Sequence, residues 1–269
     1  MNIAATTFAF QALHQSGCFL LPNPWDVGSA KLLAGMGYKA LATTSSGFAW
    51  SQGMPDNRVS MHHVLDHLQS LAAAVAIPVN ADFEGGFAVN PDDVLAHYAR
   101  AAQTGVAGIS IEDSTGDRNS PLFKFALSVE RVRAARRAID ESKTGIVLTG
   151  RSEGFIVGPS DLPDTLRRLV AYAEAGADCL YAPGLRSLAD IAMVVKEVAP
   201  KPVNALVYAN FTTVAELADI GVRRISVGGA LARTAYTAFV HAAQEIATFG
   251  TFNQLAKRTA TTDFDSLFG

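Results

Sequence analysis

Short apolar runs alternate with longer helical patterns along the whole chain. Eight of these runs are four to six residues long and rich in aliphatic residues, as expected for strands covered on both faces. They lie at residues 18–21, 40–45, 78–83, 108–112, 146–151, 179–182, 203–207 and 224–227. Eight is the number of parallel strands that closes a (β/α)₈ barrel.

The segments between these runs predict helices that pack outside a parallel sheet. Apolar residues recur at helical spacing in residues 30–36, 94–104, 129–140, 165–175 and 188–198. The passages AGMGYKA, TGVAGIS, AGADCLY and DIGVRRIS each place a glycine at a helix end just before the next strand. This rhythm predicts an α/β fold in which residues 1–269 form a single (β/α)₈ TIM barrel domain.

Two parts of the chain exceed what a minimal barrel needs. After the eighth strand the sequence continues through residues 234–249 and 254–268, where several apolar residues have no obvious place on a closed barrel. These residues are Phe252, Leu255, Phe264, Leu267 and Phe268. We therefore expect the C-terminal helical tail to pack on a partner subunit in a homo-oligomer. Residues 113–127 form a long polar passage after the fourth strand, which is a candidate lid.

Composition narrows the class of ligand. The chain has 22 Lys and Arg residues against 25 Asp and Glu residues, so its net charge of −3 offers no basic field for nucleic acid or an anionic membrane. No apolar run approaches the roughly 20 residues that span a bilayer. Cys18 and Cys179 each lie in an apolar run, which favours buried thiols over a disulfide or a nucleophile. We expect a cytoplasmic protein with a small-molecule ligand.

Side-chain alternation predicts which residues face the barrel interior. Successive strand residues point to opposite faces, and the face toward the helices should carry bulky aliphatic groups. We call each set of alternate residues on a strand a lane. The fifth strand is ambiguous, because Ile146 and Leu148 lie in one lane and Val147 lies in the other. We take the lane that ends in Arg151 as the inward one. The inward polar set is then Asn80, Asp82, Glu84, Ser110, Glu112, Thr149, Arg151, Asn204 and Ser226. These residues converge on one mouth of the barrel.

Three carboxylates end adjacent strands of this set. Asp82, Glu84 and Glu112 would repel one another in a confined pocket unless they were protonated, paired or bound to a cation. An all-oxygen ligand set favours a hard ion, Mg²⁺ or else Mn²⁺. The alternative is a structural ion network in which these carboxylates pair with Arg151.

Other residues near the mouth suit an anionic ligand. The planar fork of Arg151 fits a carboxylate or phosphonate, although its alternative role is to neutralise Glu112. Ser46, Gly47 and Phe48 follow the second strand in a hydroxyl-rich turn whose backbone N–H groups could approach an anion. Asp56 could contact a water on the metal or simply cap its turn. No inward lysine ends a strand, which disfavours a Schiff-base mechanism, and none of the six histidines is assigned to catalysis.

An ordered set of motifs resembles the isocitrate lyase/phosphoenolpyruvate mutase superfamily over about residues 20–229. The motifs are Asn23-Pro24-Trp25-Asp26, Thr44-Ser45-Ser46-Gly47, Asp82-Phe83-Glu84-Gly85-Gly86-Phe87, Ile111-Glu112-Asp113 and Gly150-Arg151. The resemblance implies that Asp82, Glu84 and Glu112 hold Mg²⁺ directly or through water, with Asp56 nearby. It also implies that Arg151 binds the substrate oxyanion, and that the protein is a homodimer or homotetramer whose subunits exchange a C-terminal helix. The set that would cradle the substrate is Ser46, Gly47 and Phe48, to which we add the inward Asn204.

The sequence departs from the lyases of this superfamily after the fourth strand. Lyases that cleave isocitrate or methylisocitrate carry a Lys-Lys-Cys-Gly-His loop there, in which cysteine acts as the acid. Residues 114–121 of this chain contain neither cysteine nor histidine. Thr115 and Asn119 only partly match the gate of the mutases and phosphonopyruvate hydrolases. Glu153 and Gly154 also replace the Thr-Asp that is usual after the arginine.

These observations predict a Mg²⁺-dependent lyase or decarboxylase. It would cleave a C–C or P–C bond of a small 2-oxo dicarboxylate such as oxaloacetate, through an enolate that the metal stabilises. The predicted catalytic residues are Arg151, Asp56 and Glu112. The alternatives are a phosphonomutase, of the phosphoenolpyruvate mutase or carboxyvinyl-carboxyphosphonate phosphorylmutase type, and a catalytically weak 2-oxo acid binding protein.

Overall fold

Eight parallel strands surround a common axis in the computed structural model, which describes residues 3–158, 161–256 and 263–268. The strands are β1 Phe19–Leu21, β2 Leu41–Ala42, β3 Val79–Ala81, β4 Gly108–Glu112, β5 Val147–Arg151, β6 Cys179–Tyr181, β7 Val203–Leu206 and β8 Arg224–Ser226. Each strand pairs with its neighbours in the order β1-β8-β7-β6-β5-β4-β3-β2. The Ala42 N–H donates to the Pro22 carbonyl at 3.0 Å, which brings β2 back to the end of β1. The predicted (β/α)₈ barrel is confirmed.

Helices separate successive strands, and the five predicted helical segments are confirmed. The helices are α1 Ile3–Leu13, α2 Val27–Gly35, α3 Ser45–Ser51, α4 Met61–Ala74, α5 Pro91–Ala101, α6 Phe125–Ser142, α7 Gly154–Val157, α8 Leu162–Glu174, α9 Leu188–Glu197, α10 Val214–Asp219, α11 Ala230–Phe249, α12 Asn253–Ala256 and α13 Phe264–Phe268. Helix α5 begins three residues before the predicted segment. The apolar pattern missed its first turn because that turn is polar. That turn carries Asp92 and Asp93, which favour a helix N-terminus.

The N-terminal end of the barrel is closed by α1, a helix that the sequence pattern did not predict. Phe10 of this helix is fully buried against Phe19, Leu21 and Val147 inside the barrel. Gly108 makes the close approach possible, since a Cβ atom there would lie 2.5 Å from the Phe10 ring. Ligands must therefore enter from the opposite end, where the carboxyl ends of the strands lie.

The larger core lies between the sheet and the helices. On β3 and just after it, Val79, Ala81 and Phe83 are buried in this core. The Phe83 ring packs edge-on against the ring of Tyr98 on α5, with centroids 5.3 Å apart. The predicted lane is therefore correct, and Asn80 and Asp82 point into the barrel.

The polar passage after β4 forms a short hairpin. Ser114 pairs with Leu122 in an antiparallel bridge, and the Thr115 N–H donates to the Pro121 carbonyl at 2.9 Å. Asp113, at the base of the hairpin, is buried. Whether this hairpin moves as a lid stays a prediction.

The C-terminal segment leaves much apolar surface uncovered. On α11, Phe239 and Phe249 are 69% and 75% exposed. Phe252, Leu255, Phe264 and Phe268 are also exposed, whereas the Leu267 side chain and residues 257–262 lie outside the described residues. Helix α13 packs on α2 of its own chain, where Lys31 Nζ donates to the Phe268 carbonyl at 3.1 Å. Packing of the tail on a partner subunit stays a prediction. Within the described ranges no helix is long and apolar enough to cross a membrane.

Candidate active site

A cavity of about 270 Å³ opens at the carboxyl ends of the strands. The inward lane supplies much of its lining, as the sequence predicted, and the segments that follow the strands supply the rest. Its polar lining residues include Ser46, Asp56, Asp82, Ser110, Glu112, Ser114, Arg151, Glu153, Tyr181, Asn204, Arg224 and Ser226. One end of this cavity is rich in carboxylates.

Arg151 joins the carboxylates at the mouth. Its Nη1 donates to Asp82 Oδ1 at 2.7 Å, and its Nη2 lies 3.2 Å from Glu112 Oε2. Its Nε and Nη2 lie 2.9 and 2.8 Å from Glu153 Oε1. Burial alone would lower the pKa of Arg151, but the charges of Glu153, Glu112 and Asp82 outweigh burial and raise it. The guanidinium is therefore a fixed cation with three acidic partners, which is the ion network that the sequence left open.

Glu153 is a site carboxylate that the sequence marks only as a departure from the superfamily pattern. Its backbone N–H donates to Asp113 Oδ1 at 2.8 Å. The other oxygen of Asp113 accepts hydrogen bonds from Tyr172 Oη at 2.6 Å and from Arg168 Nη1 at 3.2 Å. Burial raises the pKa of Glu153, while Arg151 opposes that shift. Strand parity could have found this residue, because it lies two positions after Arg151 and continues the same lane.

Asp82 and Glu84 occupy neighbouring but different positions. Asp82 Oδ2 accepts the Ser45 N–H at 2.9 Å, which fixes the carboxylate in the main cavity. Glu84 has a left-handed backbone, with φ of 49°, and lines an adjoining cavity that Glu112 also lines. Burial, followed by the charges of Asp82 and Asp56, raises the pKa of Glu84 to about 8. Asp82 and Glu112 are paired with Arg151, whereas the described contacts give Glu84 no cationic partner.

Glu112 and Asp56 complete the acidic end. Glu112 faces Arg151 across paired strands, and burial raises the pKa of its carboxyl well above the usual range, with Glu153 and Asp82 adding to the shift. Asp56 is an exposed residue at the rim, and its Oδ1 accepts the Asn57 N–H at 3.0 Å. Desolvation of its carboxyl, followed by the charge of Asp82, raises the pKa of Asp56.

The passage after β2 is a helix rather than the predicted turn. Thr44 caps α3, and the Gly47 and Phe48 N–H groups donate to Thr44 Oγ1 at 3.4 Å and to the Thr44 carbonyl at 3.0 Å. The Phe48 ring stacks on His67, with centroids 3.7 Å apart. Of the three residues predicted to cradle the substrate, Ser46 lines the cavity, whereas Gly47 and Phe48 do not.

The donor set can be tested against a divalent cation. In the arrangement present, no three His, Cys, Asp or Glu side chains among the described residues are grouped closely enough to hold a metal ion. Mg²⁺ needs only one or two protein carboxylates, because it retains several waters. The oxygens of Asp82, Glu84 and Glu112 meet that requirement, and a cation would offset the negative charge that these carboxylates bring together. These residues fit a hydrated hard ion.

Comparison with known proteins places this barrel in a family. The family model described as phosphoenolpyruvate phosphomutase matches residues 10–247. The chain belongs to this family. Its relatives and structural neighbours are lyases and mutases of the isocitrate lyase/phosphoenolpyruvate mutase superfamily, so the protein is an enzyme of that class. The superfamily resemblance seen in the sequence is confirmed.

Individual relatives cover most of the chain. An uncharacterised protein of Mycobacterium tuberculosis is 31% identical over 240 residues, which are 88% of each protein. An oxaloacetate decarboxylase of Pseudomonas aeruginosa is 25% identical over 228 residues, which are 81% of this chain and 77% of that protein. A solved Burkholderia cenocepacia structure, described as a candidate lyase/mutase, is 45% identical with a TM-score of 0.95, covering 99% of this chain and 97% of that chain.

Proposed function

We propose that this enzyme is a Mg²⁺-dependent lyase that cleaves a C–C bond of a small 2-oxo dicarboxylate, with oxaloacetate as the simplest candidate. The observation that carries the proposal is the meeting of Asp82, Glu112 and Glu153 around Arg151 in a single cavity at the strand ends. Carboxylates that can bind a cation thus lie beside a guanidinium that can bind an anion. That combination suits a substrate in which a carbonyl lies next to a carboxylate.

The chain's residues divide between the ion and the substrate. Asp82, Glu84 and Glu112 would hold Mg²⁺, with Asp56 contributing through water. When bound, Mg²⁺ supplies positive charge to the substrate oxygens on which negative charge develops.

Arg151 would bind an anionic end of the substrate. Glu153 Oε1 faces both Nε and Nη2, and it holds the guanidinium in place while Nη1 exchanges Asp82 for the substrate. Ser46 and Asn204 line the same space and can donate hydrogen bonds to the substrate.

Decarboxylation suits the hairpin that follows β4. In oxaloacetate, the electrons of the bond between C3 and the departing carboxylate form a C2–C3 double bond and place negative charge on the 2-oxo oxygen. Carbon dioxide leaves, and C3 then takes a proton from water to give pyruvate. This route needs no acidic side chain from the hairpin, where Thr115 Oγ1 donates to the Ser120 carbonyl and Asp117 Oδ1 accepts the Asn119 N–H.

Turnover of oxaloacetate, with and without Mg²⁺, tests the proposal. We expect pyruvate release that stops when the ion is chelated. In Glu112→Gln we expect weaker Mg²⁺ binding by calorimetric titration, whereas Glu141→Gln, on the exposed face of α6, should behave as the parent. Undiminished Mg²⁺ affinity in Glu112→Gln would refute the metal assignment. Binding of 2-oxo acids without any turnover would support the binding-protein alternative instead.

Phosphonomutase chemistry is the second candidate. It is favoured by the description of the matching family and by a Burkholderia cenocepacia structure described as a candidate phosphonomutase, 33% identical with a TM-score of 0.85. The fork of Arg151 suits a phosphonate as well as a carboxylate. Conversion of phosphonopyruvate to phosphoenolpyruvate, faster than any release of pyruvate from oxaloacetate, would select this candidate.

A further inference from the structure

A second arginine lies at the floor of the same cavity. Arg224, on β8, is 3% exposed. Its Nε donates to Asn204 Oδ1 at 2.9 Å, and its Nη1 lies 3.5 Å from Asn80 Oδ1 and 3.4 Å from His14 Nε2. Among the residues that the structure describes, no carboxylate forms an ion pair with Arg224. All three of these contacts are neutral groups.

The position of Arg224 is separated from the acidic end of the cavity. Asn80 precedes Asp82 by two residues on the same face of β3, so the guanidinium that reaches Asn80 lies about 7 Å deeper in the barrel. The acidic groups come from β3, β4 and the segment after β5, whereas β8 lies four strands away from β4. The cavity therefore has a carboxylate-rich mouth. Arg224 lies deeper, on the opposite side of the barrel, and has no carboxylate partner within the described part of the chain.

His14 does not compensate that charge. Its Nδ1 lies 2.7 Å from the Phe10 carbonyl, which can only accept, so Nδ1 carries the proton and Nε2 turns its lone pair toward Arg224. Burial and then the charge of Arg224 lower the pKa of His14 to about 3, so the ring stays neutral. The nearest groups solvate the guanidinium but do not balance it.

Arg224 also orients a hydroxyl in the cavity. Because a guanidinium only donates, the group of Asn204 that faces it must be Oδ1, and the amide Nδ2 then donates to Ser226 Oγ at 2.9 Å. Ser226 Oγ accepts from that side and also hydrogen-bonds to Tyr181, and both residues line the cavity. Arg224 thus fixes a chain of polar groups at the floor.

We infer that Arg224 is a specificity-determining residue, which gives the cavity floor its affinity for the second anionic group of the substrate. That group is the carboxylate or phosphonate that Arg151 does not bind. A buried cation without a counter-charge is unfavourable, and an anion in the cavity would offset that cost. The inference rests on the proposed function, which places a small dianionic 2-oxo acid in this cavity. Were Arg224 only structural, its sole role would be to tie β3, β7 and α1 together.

Malate and lactate provide the test, because these stable 2-hydroxy acids differ by one carboxylate. Each is titrated calorimetrically into the parent, Arg224→Met and Arg224→Lys in the presence of Mg²⁺. We expect the parent to prefer malate, and Arg224→Met to lose about tenfold or more of its malate affinity, the usual effect of one hydrogen bond to a charged group. The affinity of Arg224→Met for lactate should differ from that of the parent by less than about twofold. Arg224→Lys, which retains the charge, should keep most of the preference.

Several outcomes would overturn the inference. Equal losses for malate and lactate in Arg224→Met would show a structural role, and no loss for either would show no role. If Arg224→Met does not fold, Arg224→Gln removes the charge but retains an amide that can donate to Asn204 Oδ1, and it should selectively weaken malate binding. An unchanged preference for malate in Arg224→Gln would also reject the inference.

The inference and the proposed function can fail separately. A parent protein that prefers malate but turns over no 2-oxo dicarboxylate supports the anion site while rejecting the proposed reaction. A parent that decarboxylates oxaloacetate but shows no preference for malate overturns the inference and leaves the reaction in place.

Discussion

Replacement of Arg151 by lysine tests the geometry of the site rather than its charge. The guanidinium reaches Asp82 through Nη1 and Glu153 through Nε and Nη2, and the side chain is only 14% exposed. A lysine ammonium is a single point of charge and cannot reach both carboxylates from the two ends of a fork. We therefore expect Arg151→Lys to retain the fold and lose most of its activity.

The size of the effect follows from the bonds that are lost. A hydrogen bond between charged groups contributes about 1.5 to 3 kcal/mol, so loss of one such bond to the substrate lowers kcat/KM roughly 10- to 150-fold. The free energy of unfolding should fall by about 1 to 3 kcal/mol, because one buried acceptor is left without its donor. Loss of activity should therefore exceed what partial unfolding at 25 °C could explain.

Steady-state kinetics on the best substrate, together with thermal unfolding, measures both quantities. Arg133→Lys is the matched control, because Arg133 is 57% exposed and pairs with Glu130 on the outer face of α6. This control should keep the kcat/KM and the melting temperature of the parent. Equal kcat/KM values for Arg151→Lys and the parent would mean that Arg151 is only structural, and would refute the role of its fork in binding an anion.

Three further predictions concern other parts of the molecule. The pKa of His14 is lowered to about 3 in the folded state, so stability from this group is complete above pH 6.5 and is lost as the pH falls. At pH 5 the free energy of unfolding, measured with denaturant, should be about 2 kcal/mol lower than at neutral pH. The decrease should be smaller in His14→Gln. Light scattering should show a dimer or tetramer, because Phe239 and Phe249 are exposed on α11, and a monomer at micromolar concentration would contradict this. Isocitrate and methylisocitrate should not be cleaved, since residues 114–121 offer no cysteine or histidine to protonate the carbanion, and turnover of roughly 1 s⁻¹ would show another acid.

The strands and their inward lane could be predicted because both depend on local pattern. Parallel strands that are buried on both faces give apolar runs, and β4 was predicted with both of its bounds correct. The two-residue period of a strand then fixes which side chains face inward. Asp82, Glu112 and Arg151 consequently lie in one cavity, as the parity of three separate strands indicated.

Helices α1 and α3 could not be predicted in the same way. Residues 3–13 are apolar without a clear helical face, and their burial depends on the open base of a barrel formed by later strands. The Ser-Ser-Gly passage reads as a turn. It becomes helical because Thr44 caps it and because Gly47 packs closely on Trp25 and Ala232, where a Cβ atom would lie 2.9 and 3.2 Å from their Cβ atoms.

Buried arginines mark the main limit of prediction from the sequence. Arg131 lies on α6, where an arginine would normally face solvent, yet it is 1% exposed. Its guanidinium donates to the backbone carbonyls of Gly85, Ala88 and Glu112. Those bonds join the loop that carries Glu84, with its left-handed backbone, to the end of β4.

Arg168 reaches the site from α8 in a similar way. It donates to Asp113, and Asp113 in turn accepts the backbone N–H of Glu153. A long arginine side chain can reach carbonyls and carboxylates far away in sequence, so neither helical periodicity nor charge composition reveals its partners. The sequence could therefore place the carboxylates of the mouth on the correct strands. Their orientation depends on cations that helices α6 and α8 supply from outside the barrel, and that dependence becomes visible only when the helices are packed.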